Sequence, residues 1–199
     1  NFIHSAQTRT GGVWASGYYN DGGELVDDVI EAVRREAEAC ESLEGFQFCH
    51  STCGGTGSGI GTLIMSKLKE EYCDKMVVSF SSMIAPDMHA SQVTEAYNVV
   101  LSIQQLAENA DLVVCFDNDA LFKVCSRHIN PEDINFKDMN HVAASLMSNI
   151  TCGLRFPGSM KTGLRRIATN LTPFRKLQFC IANHVSFPLS KIGSLKVNA

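Results

Sequence analysis

The sequence predicts an α/β fold in which a parallel sheet is covered by helices on both faces. Short apolar runs alternate with amphipathic segments along most of the 199 residues. Runs such as "DLVVCF" are almost continuously apolar, which is typical of strands buried on both faces. The alternation of such strands with helices indicates a parallel sheet with crossover helices. The 45 % hydrophobic content is enough for a sizeable core.

Each element follows from its own pattern. Apolar residues spaced three or four positions apart, as in "ELVDDVIEAVRREAEAC", predict helices, and unbroken apolar runs predict strands. The predicted helices cover residues 24–40, 63–72, 93–109, 119–128, 136–154 and 164–171. The predicted strands cover residues 45–51, 75–84, 111–118 and 176–187. We expect Asp21 to cap the first helix. The helix from Phe136 is apolar around much of its circumference, so we expect it to be buried between two layers.

Charge and composition exclude several classes of function. The formal net charge of −4 gives no reason to expect nucleic acid or an anionic membrane as a partner. No apolar run reaches the roughly 18 residues of a membrane helix. The 8 cysteines form no C-x-x-C pair, so we expect reduced, buried thiols rather than a zinc site. The chain begins without Met and ends abruptly, which suggests a piece of a longer protein.

The segment "HSTCGGTGSGIGT", residues 50–62, joins a predicted strand to a predicted helix. Four glycines lie between positions 54 and 59, with Thr56 and Ser58 among them. A strand, a glycine-rich loop and a helix together present backbone N–H groups and a positive dipole end to an anion. Glycine has no Cβ to hold a phosphate away, and the two hydroxyls add donors. A merely tight turn is the alternative, but it needs only one or two glycines.

Two well-known phosphate motifs fit less well. A Walker loop requires a lysine after its last glycine, and Ile60 follows Gly59 here. The string "GTGSGIG" matches only the first two glycines of G-x-G-x-x-G, because Ile60 stands where the third glycine is required. That fingerprint also follows the first strand of its fold, whereas this loop comes after at least one earlier helix. The sequence therefore disfavours a nicotinamide-dependent oxidoreductase.

The glycine loop "GGTGSG" resembles the signature loop of the tubulins and of their bacterial FtsZ relatives. Further tubulin-like segments occur in order along nearly the whole chain, and they look most like the beta type: "LSIQQLAENAD", "FDNDAL", "MNHVAASLMS", "LRFPG" and "NLTPFRKLQF". The resemblance implies a tubulin/FtsZ-type GTPase fold with a Rossmann-like sheet. It implies that residues 1–135 are the C-terminal part of a GTP-binding domain and that residues 136–155 are a core helix. Residues 156–199 would hold an inter-subunit loop, a short helix and the start of a second α/β domain.

The resemblance implies a site for GTP or GDP. The phosphate-binding role carries over to Ser51, Gly54, Gly55, Thr56, Gly57 and Ser58. Glu95 matches the acid that contacts the ribose, although an acid in a first helical turn is also favoured by the helix dipole. Asn118 and Asn140 match the two residues that read guanine, because an amide both donates and accepts. Asn118 could instead be a helix cap, and Asn140, in an apolar helix expected to be buried, would need a partner. Phe136 stands where the family commonly has a tyrosine stacked on the base.

Several positions depart from the family pattern. Cys53 replaces a glycine at the head of the signature loop, and Arg9 lies in a lengthened segment before Trp14. The loop "APDMHASQVTE" also looks one residue longer than its counterpart. In the inter-subunit loop "RFPGSMKTGLRR", Lys161 and Gly163 replace the usual Asn and Asp.

The resemblance also bears on mechanism. Arg166 stands where the alpha type has the glutamate that positions the attacking water, and arginine cannot act as a base. We therefore expect no catalytic residue in this chain and GTP hydrolysis only at a composite site in the polymer. Mg²⁺ is expected with the nucleotide, with its ligands upstream of Asn1.

The implied function is that of a beta-like, GTP-binding structural constituent of microtubules in the cytoplasmic cytoskeleton. Its implied partners are alpha-type tubulin and the other tubulin subunits of a protofilament. The alternative is a specialised or regulatory tubulin paralogue that binds nucleotide or partners without joining the bulk lattice.

Overall fold

The computed structural model describes residues 10–83, 93–127, 130–156, 158, 162–174 and 176–183. Its strands are β1 (Gly45–Ser51), β2 (Met76–Met83), β3 (Leu112–Asp117) and β4 (Phe179–Ile181). Its α-helices are α1 (Gly22–Glu38), α2 (Gly61–Glu71), α3 (Thr94–Asn109), α4 (Asn118–Ser126), α5 (Phe136–Ile150), α6 (Cys152–Arg155) and α7 (Leu164–Leu171). Two π-helical turns, Ser16–Asp21 and Thr56–Ile60, precede α1 and α2, and a 3-10 turn covers Pro131–Asp133.

The four strands form one sheet in the order β1-β2-β3-β4. Every neighbouring pair is parallel, so all the carboxyl ends lie along one edge of the sheet. We call this the carboxyl edge, and we call the opposite edge, where the strands begin, the amino edge. The predicted parallel α/β fold is confirmed.

Both faces of the sheet are buried by helices. On one face, the strand residues Val78 and Val114 pack with Leu146 of α5 and Ala168 of α7. On the other face, the strand residue Val77 packs with Met65 of α2 and Leu106 of α3. Burial of a side chain as large as leucine or methionine contributes about 1.5–3 kcal/mol. This double coverage explains why the strands read as nearly continuous apolar runs.

The start of the first helix differs from the prediction. The π-helical turn runs directly into α1, and the backbone of Asp21 is already helical, with φ −62° and ψ −37°. Its side chain makes no capping hydrogen bond, so the prediction of Asp21 as the N-cap is wrong. The carboxylate is buried, and one oxygen, Oδ2, has no hydrogen-bond partner.

The expectation of buried cysteines is wrong for four of them. Cys40, Cys49, Cys73 and Cys152 are exposed, because they lie at or just beyond helix ends or on the edge strand β1.

Three other predictions need correction. The helix from Phe136 ends at Ile150 rather than at residue 154, and α6 follows as a separate turn. Its buried residues, Met139, Val142 and Leu146, lie along one face, so the prediction that this helix is buried between two layers is wrong within the described residues. β4 covers three residues, and the predicted strand positions 184–187 lie outside the described part. Arg9, Lys161 and residues 84–92 of the lengthened loop also lie outside it.

No helix in the described ranges combines the length and the apolar composition needed to cross a membrane.

Candidate nucleotide-binding site

The carboxyl edge of the sheet brings most of the predicted site residues together. β1 ends at Ser51 and leads into the glycine loop, β2 ends at Met83, and β3 ends at Asp117, directly before Asn118. Ligands of open α/β sheets bind outside the carboxyl ends of the strands. The described site is therefore at the edge where this fold class places ligands.

The glycines of the loop serve two different purposes. A Cβ on Gly54 would meet no atom within 4 Å, so Gly54 faces open space. A Cβ on Gly55 would lie 2.7 Å from Thr10 Oγ1, and one on Gly57 would collide with the carbonyl oxygen of Ser51. Gly55 and Gly57 thus allow the loop to pack against protein, whereas Gly54 leaves room for a ligand.

The hydroxyl side chains of the loop differ in their exposure. Ser58 is completely buried, and its Oγ donates to the carbonyl oxygen of Gly54 at 2.5 Å, within the first turn after the loop. Thr56 and Ser51 are exposed, and Ser51 Oγ accepts a hydrogen bond from the Cys53 N–H at 3.3 Å. The position of Ser58 supports the turn itself, and the phosphate contacts of the six loop residues stay predictions.

His50, a residue that sequence analysis did not single out, supports the loop from behind. Its Nδ1 donates to the carbonyl oxygen of Gly57 at 2.8 Å. Since a carbonyl oxygen only accepts, Nε2 is the acceptor in the neutral ring, and Ser79 and Ser81 Oγ lie 3.0 and 2.9 Å from it. Burial lowers the pKa of His50. The neutral ring therefore connects the glycine loop to β2.

This network predicts a pH-dependent stability. The unfolded chain takes up the His50 proton near its ordinary pKa of 6.5, whereas the buried ring takes it up only at lower pH. The unfolded state then binds more protons below about pH 6.5, so His50 lowers the free energy of unfolding as pH falls, by at most about 1.4 kcal/mol per pH unit. Urea unfolding between pH 7.5 and 5 measures this effect. His50→Asn keeps an N–H for the Gly57 carbonyl but has no group that titrates in this range. The free energy of unfolding of this variant should therefore fall less steeply as the pH is lowered. Equal pH dependence in the two proteins would contradict the prediction.

Cys53 and Glu95 lie close to each other at the head of the loop. Cys53 is half-buried, and burial raises the pKa of its thiol; the negative charge of Glu95 adds to this rise. The thiol is therefore protonated at neutral pH. Glu95 lies in the first turn of α3. Its contact with the ribose stays a prediction.

A second part of the site is a cleft of about 250 Å³ that brings together Asn118, Phe136 and Asn140. Helices α4 and α5 pack on each other through Cys125, Met139 and Val142, and the cleft lies beside this contact. Its apolar lining includes Phe80, Phe116, Leu121, Met139, Ala143 and Met147. Glu95 does not line it.

The polar groups of the cleft are placed differently from the expectation. Asp117 caps α4 by accepting from the Asp119 N–H at 3.0 Å, so Asn118 is not the cap. Instead, Asn118 Oδ1 accepts from Ser82 Oγ at 3.4 Å beside the cleft. Asn140 is exposed rather than buried, so the argument from an unpartnered buried amide is wrong. Phe136 is 69 % exposed, and its ring is accessible for stacking.

The inter-subunit residues lie at the amino edge, at the other end of the sheet. Gly163 precedes α7, and the N–H of Leu164 donates to Glu44 Oε2 at 3.1 Å. Arg165 Nη2 donates to the carbonyl oxygen of Asp74 at 2.6 Å. Glu44 and Asp74 shortly precede β1 and β2, so the start of α7, with the exposed Arg166, lies beside the amino ends of these strands.

The described part of the chain contains no group of three His, Cys, Asp or Glu side chains arranged to hold a metal ion.

Comparison with known proteins agrees with this architecture. The family described as "Tubulin/FtsZ family, GTPase domain" matches residues 1–126. The Tubulin beta-3 chain of Zea mays is 45 % identical over all 199 residues, which cover 44 % of that protein. The Tubulin beta chain of Pneumocystis carinii is 46 % identical over 194 residues, which are 98 % of this chain and 43 % of that protein. The Tubulin beta-8 chain of Oryza sativa subsp. japonica is 45 % identical over 100 % of this chain and 44 % of its own length.

The chain spans less than half the length of these curated relatives. The family match nevertheless covers more than half of the chain itself, and it includes β1, the glycine loop, α2, β2, α3 and β3. With its parallel sheet and with the glycine loop at the carboxyl edge, the chain belongs to the Tubulin/FtsZ family.

Proposed function

We propose that this chain binds GTP or GDP, with the phosphates at the glycine loop and guanine in the cleft between α4 and α5. The observation that carries the proposal is the meeting of Asn118, Asn140 and Phe136 around one cleft. Guanine presents both donors and an acceptor at its edge, which two amides can match. A base can stack on the accessible ring of Phe136. Glu95, near the head of the loop, would accept hydrogen bonds from the ribose hydroxyls.

We further propose that the protein is a structural tubulin subunit that assembles end to end with alpha-type tubulin and with other subunits of a protofilament. The glycine loop and the start of α7 lie at opposite edges of the sheet, about 20 Å apart along the seven residues of β1. A contact between unlike ends of neighbouring subunits can repeat, and it builds a filament when its rotation does not close into a ring. Under this proposal residues 1–135 belong to the nucleotide-binding domain, 136–155 form the core helix, and 156–199 begin the second domain.

The proposed GTPase site is shared between subunits. Arg166 is exposed at the amino edge and can stabilise phosphate charge, but it cannot activate water as a base. Hydrolysis of a neighbour's nucleotide would therefore need a carboxylate from an alpha-type subunit, and this chain supplies no catalytic residue. We place the protein in cytoplasmic microtubules, with Mg²⁺ bound to the nucleotide and held by ligands outside the described residues.

A specialised paralogue that binds nucleotide without joining the bulk lattice is the second candidate. Two substitutions favour it, since Gly163 replaces the acid usual in the inter-subunit loop and Cys53 replaces a glycine of the signature loop.

The first experiment identifies the nucleotide. The full-length protein is purified without added nucleotide and denatured, and the released molecules are separated by chromatography. Guanine nucleotide near one per chain supports the proposal, and a folded protein without it contradicts the proposal. Pelleting together with alpha-type tubulin would then support the lattice subunit. Bound guanine nucleotide without co-pelleting would support the specialised paralogue.

Gly54→Val tests the phosphate position. A Cβ at Gly54 meets no protein atom within 4 Å, and the valine side chain would extend into the open space in front of the loop. We therefore expect GTP affinity to fall at least about tenfold with little change in stability. Isothermal titration and thermal unfolding measure the two quantities. Gly61→Ala is the matched control, because its Cβ would make only ordinary contacts, the nearest at 3.7 Å to His50 Nδ1. Unchanged GTP affinity in Gly54→Val would exclude phosphate binding at this point.

A further inference from the structure

Asn98 is a buried amide on which three separate segments converge. It lies in the second turn of α3 and is 2 % exposed. Its Nδ2 donates to the carbonyl oxygens of Gly12 and Cys53, both at 2.7 Å. Its Oδ1 accepts from the backbone N–H of Trp14 at 2.8 Å. One side chain thus ties residues 12–14 and the head of the glycine loop to α3.

The chemistry of these bonds requires an amide. The carbonyl oxygens of Gly12 and Cys53 can only accept, and the Trp14 N–H can only donate, so the orientation of the Asn98 side chain is determined. A carboxylate of the same shape would set its oxygens against two carbonyl oxygens. An apolar side chain would remove the bonds to the Cys53 carbonyl and the Trp14 N–H and would leave the Gly12 carbonyl with only the longer bond from Thr94 Oγ1, at 3.4 Å. Burial of polar groups that have lost their partners is costly.

Asn98 lies next to two parts of the proposed site, the head of the glycine loop and the first turn of α3. Cys53 directly precedes Gly54, the glycine that faces open space, and Glu95 lies one helical turn before Asn98 on α3. Residues 12–14 are held from the other side as well, because Trp14 Nε1 donates to Thr62 Oγ1 of α2 at 3.3 Å. Release of the Asn98 bonds would free the head of the loop from the helix that carries Glu95.

We propose that Asn98 is a positioning residue that sets the distance between the glycine loop and Glu95, and hence between the phosphate and ribose contacts. The inference rests on the proposed nucleotide-binding function. Asn98 itself touches no ligand under this proposal, and its effect is transmitted through the Cys53 backbone.

Asn98→Asp in the full-length protein tests the inference. Gln178→Leu is the matched control, because Gln178 is also a buried amide that donates to carbonyl oxygens of α3 or just beyond it, at the far end of the helix: Ala107 at 2.8 Å and Ala110 at 3.3 Å. The first readout is the rate at which N-ethylmaleimide alkylates Cys53 without nucleotide, measured on its peptide by mass spectrometry. Cys125, buried in α4, is the internal reference.

We expect Cys53 to react at least about tenfold faster in Asn98→Asp, since the half-buried thiol loses its tether, and within about twofold of the unsubstituted protein in Gln178→Leu. The second readout is the affinity for GTP, which should fall about tenfold in Asn98→Asp and stay within about twofold in Gln178→Leu. Asn98→Ser, which is smaller and admits water, should change both readouts in the same direction and is the variant to use if Asn98→Asp does not fold.

The outcomes separate the two proposals. An unchanged Cys53 rate in the folded Asn98 variant, or an equal rise in Gln178→Leu, overturns the tethering role. A faster Cys53 reaction with unchanged GTP affinity overturns the positioning role. A protein that binds no GTP before substitution overturns the proposed function, while the alkylation rates still decide whether Asn98 holds the loop.

Discussion

Gly17→Ala is expected to lower the free energy of unfolding by about 3 kcal/mol, because it forces apart two turns that pack backbone to backbone. Gly17 lies in the π-helical turn before α1, and a Cβ at this position would collide with the carbonyl oxygen of Gly55. It would also lie 3.3 Å from Gly59 Cα. Backbone atoms of the glycine loop cannot move aside as a flexible side chain would.

Urea unfolding of the full-length protein measures this loss, and Gly23→Ala is its control. Gly23 is also helical, but a Cβ there would meet nothing within 4 Å. Alanine is the better helix former, so Gly23→Ala should raise the free energy of unfolding by about 0.5–1 kcal/mol. Equal and small effects of the two substitutions would show that the two turns do not pack as described.

Asn118→Ala is expected to reduce GTP affinity about 100-fold, or about 2.7 kcal/mol, under the proposed function. The amide lies beside the cleft at the start of α4 and is not consumed by capping, which Asp117 performs. Its loss would leave polar atoms of guanine unpaired in a partly apolar cleft. Discrimination between GTP and ATP should fall with it, because the two bases differ in these edge groups.

Competition binding with GTP and ATP measures both the affinity for GTP and the preference for GTP over ATP. Asn109→Ala is a matched removal of an amide. Among the described residues, Asn109 Nδ2 donates to Gln105 within α3, to its carbonyl oxygen at 3.0 Å and to its Oε1 at 3.3 Å. This control should keep its preference for GTP. An Asn118→Ala protein that still prefers GTP by the same factor would mean that guanine is read elsewhere.

The sheet could be predicted from the sequence because its evidence is local. β1, β2 and β3 lie within one or two residues of their predicted ranges, since a strand covered on both faces leaves an unbroken apolar run. The start of α1 could not be predicted in this way. The turn before it is shaped by contact between Gly17 and Gly55, which are distant in sequence, and a capping rule considers only neighbouring residues.

In the candidate site, too, some residues could be identified from the sequence and others depend on contacts between distant segments. The glycine loop and the cleft residues Asn118, Phe136 and Asn140 could be singled out because they resemble a family pattern, and the structure brings these three residues around one cleft. Their contacts with a nucleotide stay predictions. Asn98 and His50 could not be singled out, since several of their partners are backbone groups, among them the carbonyl oxygens of Cys53 and Gly57, which leave no mark in the sequence. One signal was available for Asn98, which shares a buried face of α3 with Ser102 and Leu106 at a spacing of four residues.

The shared direction of the four strands has a consequence for any assembly of this protein. Because one edge carries the glycine loop and the other carries the start of α7, the two ends of the molecule are chemically different. Subunits joined end to end, as proposed, would all point the same way, and the resulting fibre would be polar. One tip would leave its nucleotide open to solvent and exchange, and the other would cover every nucleotide with a neighbour. Growth and loss of subunits at the two tips would therefore respond to different chemistry.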